Sequence, residues 1–307
     1  VTYPDGSKDT VRVDITVNET ATDTEQYEAE NFEYSGGYRD RRERDFYGFK
    51  QVRTNQIDTE NGDRLYRYSV QSYGRNRDYY AHGLVTSEYL YTADGKKLQG
   101  AVYDYDLKTL AVGNNTTDAV VFPALKTLVQ SNFDVNSGDS LAVAVSNTYD
   151  DYGNLQGYKE TTTAYSLEAN INYHKIADKY IVSVPSHITV SSGGKTYRER
   201  STKVDGNGEI TEIMLHNGDK PSVYNMTYDG YGNITRMTKP ENYNHQRMFY
   251  AYTYDDLYHS LVTSVKDAYG YSSSTAYDGL WNAPSVTTDL NGQKMEYTYD
   301  ALGRQMT

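Results

Sequence analysis

The sequence predicts an all-β protein in which short hairpins follow one another along a strip of antiparallel β-sheet. Three observations lead to this prediction: the 307 residues include 34 tyrosines, many short segments alternate polar and apolar residues, and glycine turns separate these segments. The mean hydropathy is only −0.79. Tyrosine buries a large ring but keeps its hydroxyl in contact with water, which suits half-buried strand positions. We therefore expect an extended sheet with a thin core, and not a disordered chain.

The charge and cysteine content narrow the classes of function. The formal net charge is −12 and the chain has no cysteine. A protein that binds phosphate backbones needs a surplus of basic residues, so the charge argues against nucleic acid as a partner. No run of residues is long and apolar enough to predict a membrane span. Disulfides and thiolate metal sites are excluded, and we expect no cofactor. Val1 has the character of a residue inside a strand, so we expect further chain upstream of it.

The chain divides by pattern into three regions. The first region is residues 1–30. Residues 1–17 alternate polar and apolar side chains around Pro4-Asp5-Gly6 and are expected to be the hairpin end of a preceding β module, and residues 18–30 are expected to be an acidic linker. Residues 31–148 have the pattern of strands without a regular spacing. Residues 149–307 contain a repeated motif. The segment 122–130 is open to two interpretations, because its length allows a helix whereas Pro123 and its threonine and valine content favour a strand.

Within residues 149–307 the repeated motif is Tyr-Asp at the start of a turn, which occurs five times as Tyr149-Asp150, Tyr228-Asp229, Tyr254-Asp255, Tyr277-Asp278 and Tyr299-Asp300. The tyrosines are 79, 26, 23 and 22 residues apart, so the last three intervals are nearly regular. In three of the units a glycine follows the tyrosine by four residues, at Gly153, Gly232 and Gly303. Secondary turns begin at Asp205, Asp267 and Asp289.

Each unit is predicted to be a β-hairpin. The tyrosine ends a strand, the aspartate accepts hydrogen bonds from backbone N–H groups of the turn, and the glycine takes the positive φ that closes it. A period near 22 residues then gives two short strands and two turns. The tyrosines are expected to lie in strands and to pack against the tyrosines of neighbouring units.

The residues that form these units resemble a known family. The hexapeptide Tyr299-Asp300-Ala301-Leu302-Gly303-Arg304 resembles the signature of YD (tyrosine–aspartate) repeats, also called Rhs repeats, and the other Tyr-Asp units are similar to it. Residues 44–52 resemble the segment that precedes the repeats in the B component of insecticidal toxin complexes. The resemblance covers roughly residues 31–307.

This resemblance implies a fold and a function. Members of the family form a β-sheet strip that spirals into a hollow shell and encloses a C-terminal segment. The chain is thus expected to be a non-catalytic encapsulating scaffold of an Rhs-type toxin or large surface protein, secreted or on the bacterial cell surface. Its implied partners are the remainder of its own polypeptide and other toxin-complex subunits. The family's self-cleavage motif contains Asp-Pro, and none of the six prolines here follows an aspartate, so that activity is not expected.

Other chemistry has weaker support in the sequence. The six histidines, at positions 82, 174, 187, 216, 245 and 259, lack the pairing typical of metal sites. The repetition of the Tyr-Asp aspartates argues for a structural role, because a catalytic carboxylate pair is needed only once. Residues 205–209 are compatible with a calcium loop but fit an ordinary turn better. The alternating charges of residues 39–45 favour a solvated ion-pair cluster over an anion site.

Two further functions stay open. Exposed tyrosines flanked by Asn, Asp and Thr could stack on sugars, so a cell-surface adhesion or carbohydrate-binding module is the alternative to a scaffold. A sugar site requires a local cluster of exposed rings, whereas a structural role places one ring in every repeat. An enzyme is the third hypothesis, and no nucleophile elbow or phosphate-binding glycine loop supports it.

Overall fold

A computed structural model of the chain describes residues 12–17, 26–113 and 118–306. These residues form 22 β-strands and one short 3-10 helix, at Ala177–Lys179, and they contain no α-helix. The predicted all-β class is therefore confirmed. No helix in the described ranges is long and apolar enough to cross a membrane.

The chain contains two compact units. The first runs to Ala169 and includes Ser192–Gly194, and the second comprises Asn170–Ser191 and the chain from Lys195 onward. The predicted boundary between residues 148 and 149 stays a prediction.

The first eleven strands are β1 (Arg12–Val17), β2 (Gln26–Ser35), β3 (Arg39–Asp40), β4 (Asp45–Phe46), β5 (Gln51–Asp58), β6 (Arg64–Ser72), β7 (Ser87–Thr92), β8 (Lys97–Ala111), β9 (Val120–Phe133), β10 (Ser140–Tyr149) and β11 (Leu155–Thr161).

In the first unit the strands pair with their neighbours in chain order. Strand β2 pairs with β1 and β5, and each strand from β5 to β11 pairs antiparallel with the next. Strands β3 and β4 form a separate two-stranded ribbon. Gly100 of β8 lies opposite Tyr89 of β7, and a Cβ atom on Gly100 would lie 2.5 Å from that ring. Glycine is thus required where the tyrosine ring covers the backbone of the next strand.

The second unit repeats this plan. Its strands β14 to β22 also pair antiparallel in chain order, so each hairpin contacts only the hairpins before and after it. The remaining strands are β12 (Ser166–Tyr173), β13 (Pro185–Ser192), β14 (Lys195–Val204), β15 (Ile210–Leu215), β16 (Ser222–Tyr228), β17 (Ile234–Glu241), β18 (Arg247–Tyr254), β19 (Val262–Asp267), β20 (Ser272–Tyr277), β21 (Pro284–Thr288) and β22 (Lys294–Glu296).

The core is thin. Among the described residues the buried apolar side chains are Ala29, Tyr47, Ala81, Ala101, Ala124, Val182 and Met226, and none of the larger side chains is fully buried. Most of the described strand residues are half-buried. Stability must therefore come from the sheet ladder, from the turns and from contacts between neighbouring hairpins.

The structure corrects one prediction for the first 130 residues and resolves one ambiguity. The linker predicted over residues 18–30 is wrong for residues 26–30, which form the start of β2 and pair with β1 and β5; alternating side chains in this acidic stretch suit a strand as well as a loop. Residues 18–25 and the Pro4-Asp5-Gly6 turn lie outside the described residues. The ambiguous segment 122–130 is part of strand β9, in which Pro123 lies opposite Leu107.

Candidate functional site

The Tyr-Asp turn is best seen at Asp229, between β16 and β17. The backbone N–H of Gly232 donates to the Asp229 carbonyl (3.3 Å), and the N–H of Asp229 donates to the Asn233 carbonyl (3.0 Å). Gly232 has φ +85°, and the strand register slips between Thr227 and Tyr228. These features define a type I turn followed by a left-handed residue in a bulge, one of the common ways to close a hairpin.

The carboxylate of Asp229 organises this turn. One oxygen, Oδ1, accepts hydrogen bonds from the backbone N–H groups of Tyr231 (2.9 Å) and Asn233 (3.0 Å). The other oxygen, Oδ2, accepts one from the Asn233 side chain (3.1 Å). Desolvation raises the pKa of Asp229, but the hydrogen bonds outweigh it and the net effect is a lowered pKa. The carboxylate is therefore engaged by the turn itself and is held ionised.

The same arrangement occurs at Asp150 and Asp300. Their Oδ1 atoms each accept two backbone hydrogen bonds of 2.9 Å, from the residues two and four positions later. Gly153 has φ +86° and Gly303 has φ +77°. The Arg304 Nε also donates to Asp300 Oδ2 (2.7 Å). Hydrogen bonds to the carboxylate lower the pKa of Asp300; the largest effect comes from the Arg304 backbone N–H, followed by the Arg304 guanidinium and the Leu302 backbone N–H.

The other two Tyr-Asp turns are longer. The Asp255 N–H donates to the Leu261 carbonyl, and the Asp278 N–H donates to the Ala283 carbonyl. Asn282, with φ +52°, takes the left-handed position in the Asp278 turn. Asp255 accepts four backbone hydrogen bonds, from Leu257, Tyr258, Ser260 and Leu261. These bonds, that from Tyr258 first, lower the Asp255 pKa to about 2.

Each of the five tyrosines donates its hydroxyl to a backbone carbonyl, a contact that the sequence does not reveal. In the second unit the acceptor is the first residue of a strand: of β15, β17 and β19, each the strand before the one that ends in the tyrosine, and of β21 for Tyr299, which follows β22. The pairs are Tyr149 to Leu125 (3.1 Å), Tyr228 to Ile210 (2.7 Å), Tyr254 to Ile234 (2.9 Å), Tyr277 to Val262 (2.8 Å) and Tyr299 to Pro284 (2.7 Å).

These hydroxyl bonds link successive turns into a chain along the row of strand ends where the Tyr-Asp turns lie. We call this side of the sheet the relay edge. Tyr228 lies opposite Ile234 in the strand register, and the Ile234 carbonyl accepts the hydroxyl of Tyr254. Tyr254 lies opposite Val262, whose carbonyl accepts the hydroxyl of Tyr277. Burial of the rings raises the pKa of Tyr228 and of Tyr254, so the hydroxyls stay protonated donors. We call this series of tyrosines and carbonyls the tyrosine relay.

The predicted packing of tyrosine on tyrosine is wrong for these residues. In the part of the chain that the structure describes, no ring contact joins Tyr228, Tyr254, Tyr277 and Tyr299. These tyrosines lie on every second strand, so their backbones are about 9.5 Å apart and an intervening strand separates the rings. Tyr299 also lies outside a regular strand, in an isolated bridge to Gln305. Tyrosine pairs do occur in the first unit, for example Tyr68 on Tyr91 at 4.8 Å.

Neighbouring turns on the relay edge also contact one another directly. The Tyr231 ring stacks on the His259 ring at 3.9 Å between centroids, and the Asn233 side chain donates to the His259 carbonyl. A Cβ atom on Gly303 would lie 2.8 Å from the Trp281 ring. At the opposite edge Gly270 and Gly292 face open space. The turn glycines of the relay edge therefore serve close packing as well as positive φ.

The turns that begin at Asp205, Asp267 and Asp289 have the same geometry as the short Tyr-Asp turns. Their Oδ1 atoms accept backbone hydrogen bonds from the residues two and four positions later. For residues 205–209 the structure therefore supports an ordinary turn better than a calcium loop. The described residues contain no group of three or more His, Asp or Glu side chains that could hold a metal ion.

One more turn of this type could not be recognised from its sequence. Asn242 takes the place of the aspartate, and its Oδ1 accepts hydrogen bonds from the backbone N–H groups of Asn244 (2.9 Å) and Gln246 (3.0 Å). His245, with φ +59°, takes the place of the glycine. Histidine in this position is strained, since a Cβ atom disfavours the left-handed conformation.

Replacement of His245 by glycine is expected to raise the free energy of unfolding by about 1 kcal/mol, because a side chain in the left-handed region costs roughly 1–2 kcal/mol and glycine loses part of this gain to entropy. The exposed contact between His245 Nδ1 and a Glu241 carboxylate oxygen (3.3 Å) contributes little to this balance. Urea unfolding followed by circular dichroism measures the change. Tyr243→Gly, in the same turn but without a positive φ, is the control and should not stabilise. A destabilised His245→Gly variant would contradict the turn assignment.

The lowered pKa values predict how stability depends on pH. A carboxylate whose pKa is lower in the folded state stabilises the fold fully above its unfolded pKa, about 3.9. That contribution is lost as the pH falls through the folded pKa, which is about 2 for Asp255. The urea midpoint should therefore be steady from neutral pH to about pH 5 and fall between about pH 4 and pH 2. Asp255→Asn should flatten part of this fall, and an unchanged slope in that variant would contradict the assignment.

Comparison with solved structures finds the same fold in chains of a bacterial toxin complex. The crystal structure of TcdB2-TccC3 matches with a TM-score of 0.70 and 11% identity over 92% of this chain and 22% of that one. The form without the hypervariable C-terminal region gives 0.72 and 12%, over 92% and 21%. The Tc holotoxin pore of Photorhabdus luminescens gives 0.72 and 11%, over 91% and 21%. At this identity the match shows the fold alone.

The chain spans about a fifth of the length of the toxin-complex chains that it matches. No family model and no curated protein sequence matches it.

Proposed function

We propose that the chain is a structural segment of a YD-repeat (Rhs-type) scaffold, part of a secreted or cell-surface polypeptide of toxin type that encloses a C-terminal segment. The observation that carries the proposal is the tyrosine relay, in which each Tyr-Asp unit joins its own turn to the strand before it. Such a unit can be repeated along a sheet without a thick core. The fold shared with TcdB2-TccC3 supports the same role.

The state of the aspartates supports a non-catalytic role. A general acid or base works best when its pKa lies near the working pH and one oxygen is free for substrate. Asp229, Asp255 and Asp300 have lowered pKa values instead, and their oxygens accept hydrogen bonds from their own turns. We therefore propose that the Tyr-Asp residues build the scaffold and perform no chemistry.

The partners follow from the same proposal. They are the remainder of the chain's own polypeptide, with further repeats and the enclosed segment, and other subunits of a toxin complex. The experiment is limited proteolysis of the complete polypeptide that contains this chain. The downstream segment should be resistant while the scaffold is intact and become cleavable when urea opens the scaffold. A downstream segment cleaved as rapidly in the native protein as in urea would contradict enclosure.

Carbohydrate binding is the second candidate, and one observation favours it. A surface depression of about 410 Å³ in the first unit is lined by polar side chains that include Gln71, Glu88, Gln99, Gln130 and Asn132. Carboxamides are suitable partners for sugar hydroxyls. A glycan array separates the candidates, since a sugar site predicts binding that is lost in Gln130→Ala, whereas a scaffold predicts none. The exposed rings of Tyr152 and Tyr231 lie at the same position of two Tyr-Asp turns, a position that leucine holds in the other three. Their placement therefore follows the turn motif and does not by itself indicate a sugar site.

A further inference from the structure

Asn-Gly occurs four times in the sequence, at Asn61, Asn207, Asn217 and Asn291. This dipeptide is the one most prone to deamidation, because glycine leaves its own backbone nitrogen unhindered. That nitrogen attacks the Asn side-chain carbon, the bond to the amide nitrogen breaks, and ammonia leaves. Water then opens the cyclic imide to aspartate or isoaspartate. All four asparagines are exposed, so exposure does not distinguish them.

Hydrogen bonding of the attacking nitrogen does distinguish them. Asn207 and Asn291 each lie in an Asp-centred turn, where the glycine N–H donates to the aspartate carbonyl at 3.1 Å. The N–H of each asparagine is also held by the aspartate carboxylate at 2.8 Å. The nitrogen is thus engaged and the local backbone is fixed, and both effects oppose formation of the imide ring.

Asn217 has neither restraint. It precedes Gly218 in the loop between β15 and β16, and among the described residues no acceptor is hydrogen-bonded to the Gly218 N–H. The Asn217 side chain makes one long contact, with the Ser222 hydroxyl at 3.4 Å. Asn61 is intermediate, since its side-chain amide donates to both carboxylate oxygens of Asp58, at 3.0 and 2.8 Å.

We propose that Asn217 is a site of spontaneous deamidation and isoaspartate formation, and that the Asp-centred turns protect Asn207 and Asn291 from the same reaction. The product adds one negative charge, and isoaspartate adds one atom to the backbone of the β15–β16 loop. The inference concerns the turn geometry and holds whether or not the chain is a scaffold segment.

The test is peptide mass spectrometry of the folded chain during incubation at mildly alkaline pH. One tryptic peptide, residues 204–236, contains both Asn207 and Asn217, so fragment spectra compare them within one molecule. Conversion at Asn217 should exceed that at Asn207 and Asn291 by at least about fivefold, the effect of one net hydrogen bond on a rate. In urea the sites should react at similar rates. Equal or faster conversion at Asn207 or Asn291 in the folded chain would overturn the proposal.

A variant tests the protective role of the aspartate. Asp289→Ala removes the carboxylate that holds the Asn291 turn, so conversion at Asn291 should rise by about fivefold on the same reasoning while that at Asn217 stays unchanged. Asp267→Ala is the matched control, because it removes the equivalent carboxylate from a turn that contains no Asn-Gly. If the rate of conversion at Asn291 is unchanged in Asp289→Ala, or rises equally in Asp267→Ala, the Asp289 turn does not protect Asn291.

Discussion

Replacement of Gly208 by alanine is expected to lower the free energy of unfolding by roughly 2–5 kcal/mol, the sum of left-handed strain and overpacking. Gly208 has φ +83° in the Asp205 turn. A Cβ atom there would lie 2.7 Å from Ile181 Cδ1 and 2.9 Å from its Cγ2. Because isoleucine is stiff at χ1, it cannot move both atoms away without a change of rotamer. Urea unfolding followed by circular dichroism gives the value.

Gly292→Ala is the matched control for this prediction. Gly292 has φ +78° in a turn of the same type, but no atom lies within 4 Å of the position of its Cβ. Its replacement should therefore cost only the backbone strain, roughly 1–2 kcal/mol. Equal losses at Gly208 and Gly292 would mean that the packing of the Asp205 turn against Ile181 contributes nothing.

The second large effect is expected from the tyrosine relay. The triple variant Tyr228→Phe, Tyr254→Phe, Tyr277→Phe keeps the rings and removes three hydroxyls that donate to strand carbonyls at 2.7–2.9 Å. Each hydrogen bond is worth roughly 1 kcal/mol, and sites on alternate strands should be additive, so a loss of about 3 kcal/mol is expected.

A second triple variant serves as the control for the relay. Tyr243, Tyr269 and Tyr271 are 98%, 73% and 58% exposed. Their replacement by phenylalanine should stay within about 0.5 kcal/mol for each site, as is usual for surface substitutions. Similar losses in the two triple variants would show that the relay hydroxyls have no special role.

The fold class and the turns were predictable because they depend on local chemistry. Alternation of side chains indicates strands, and Asp followed three residues later by Gly specifies a bulged turn through backbone hydrogen bonds that need no distant partner. Asp150, Asp229 and Asp300 fall in this class. Segment 122–130 stayed ambiguous because Pro123 weakens both a helix and a strand.

The relay and the exceptional turns were not predictable, for physical reasons. The acceptor of the Tyr254 hydroxyl is a backbone carbonyl, that of Ile234, and every residue has a carbonyl, so no sequence signal marks it. The packing of Trp281 against Gly303 depends on the alignment of two turns across the sheet. His245 occupies a glycine position because the other hydrogen bonds of the turn, centred on Asn242, hold it there.

The proposed scaffold function is tested most directly by electron cryomicroscopy of the complete polypeptide that contains this chain. The proposal predicts a continuous antiparallel sheet in which residues 149–306 carry the tyrosine relay and one face of the sheet lies against a segment from the C-terminal part of the same polypeptide. A map in which this sheet is well ordered and both of its faces are open to solvent, with the C-terminal part outside, would contradict the proposed enclosing role.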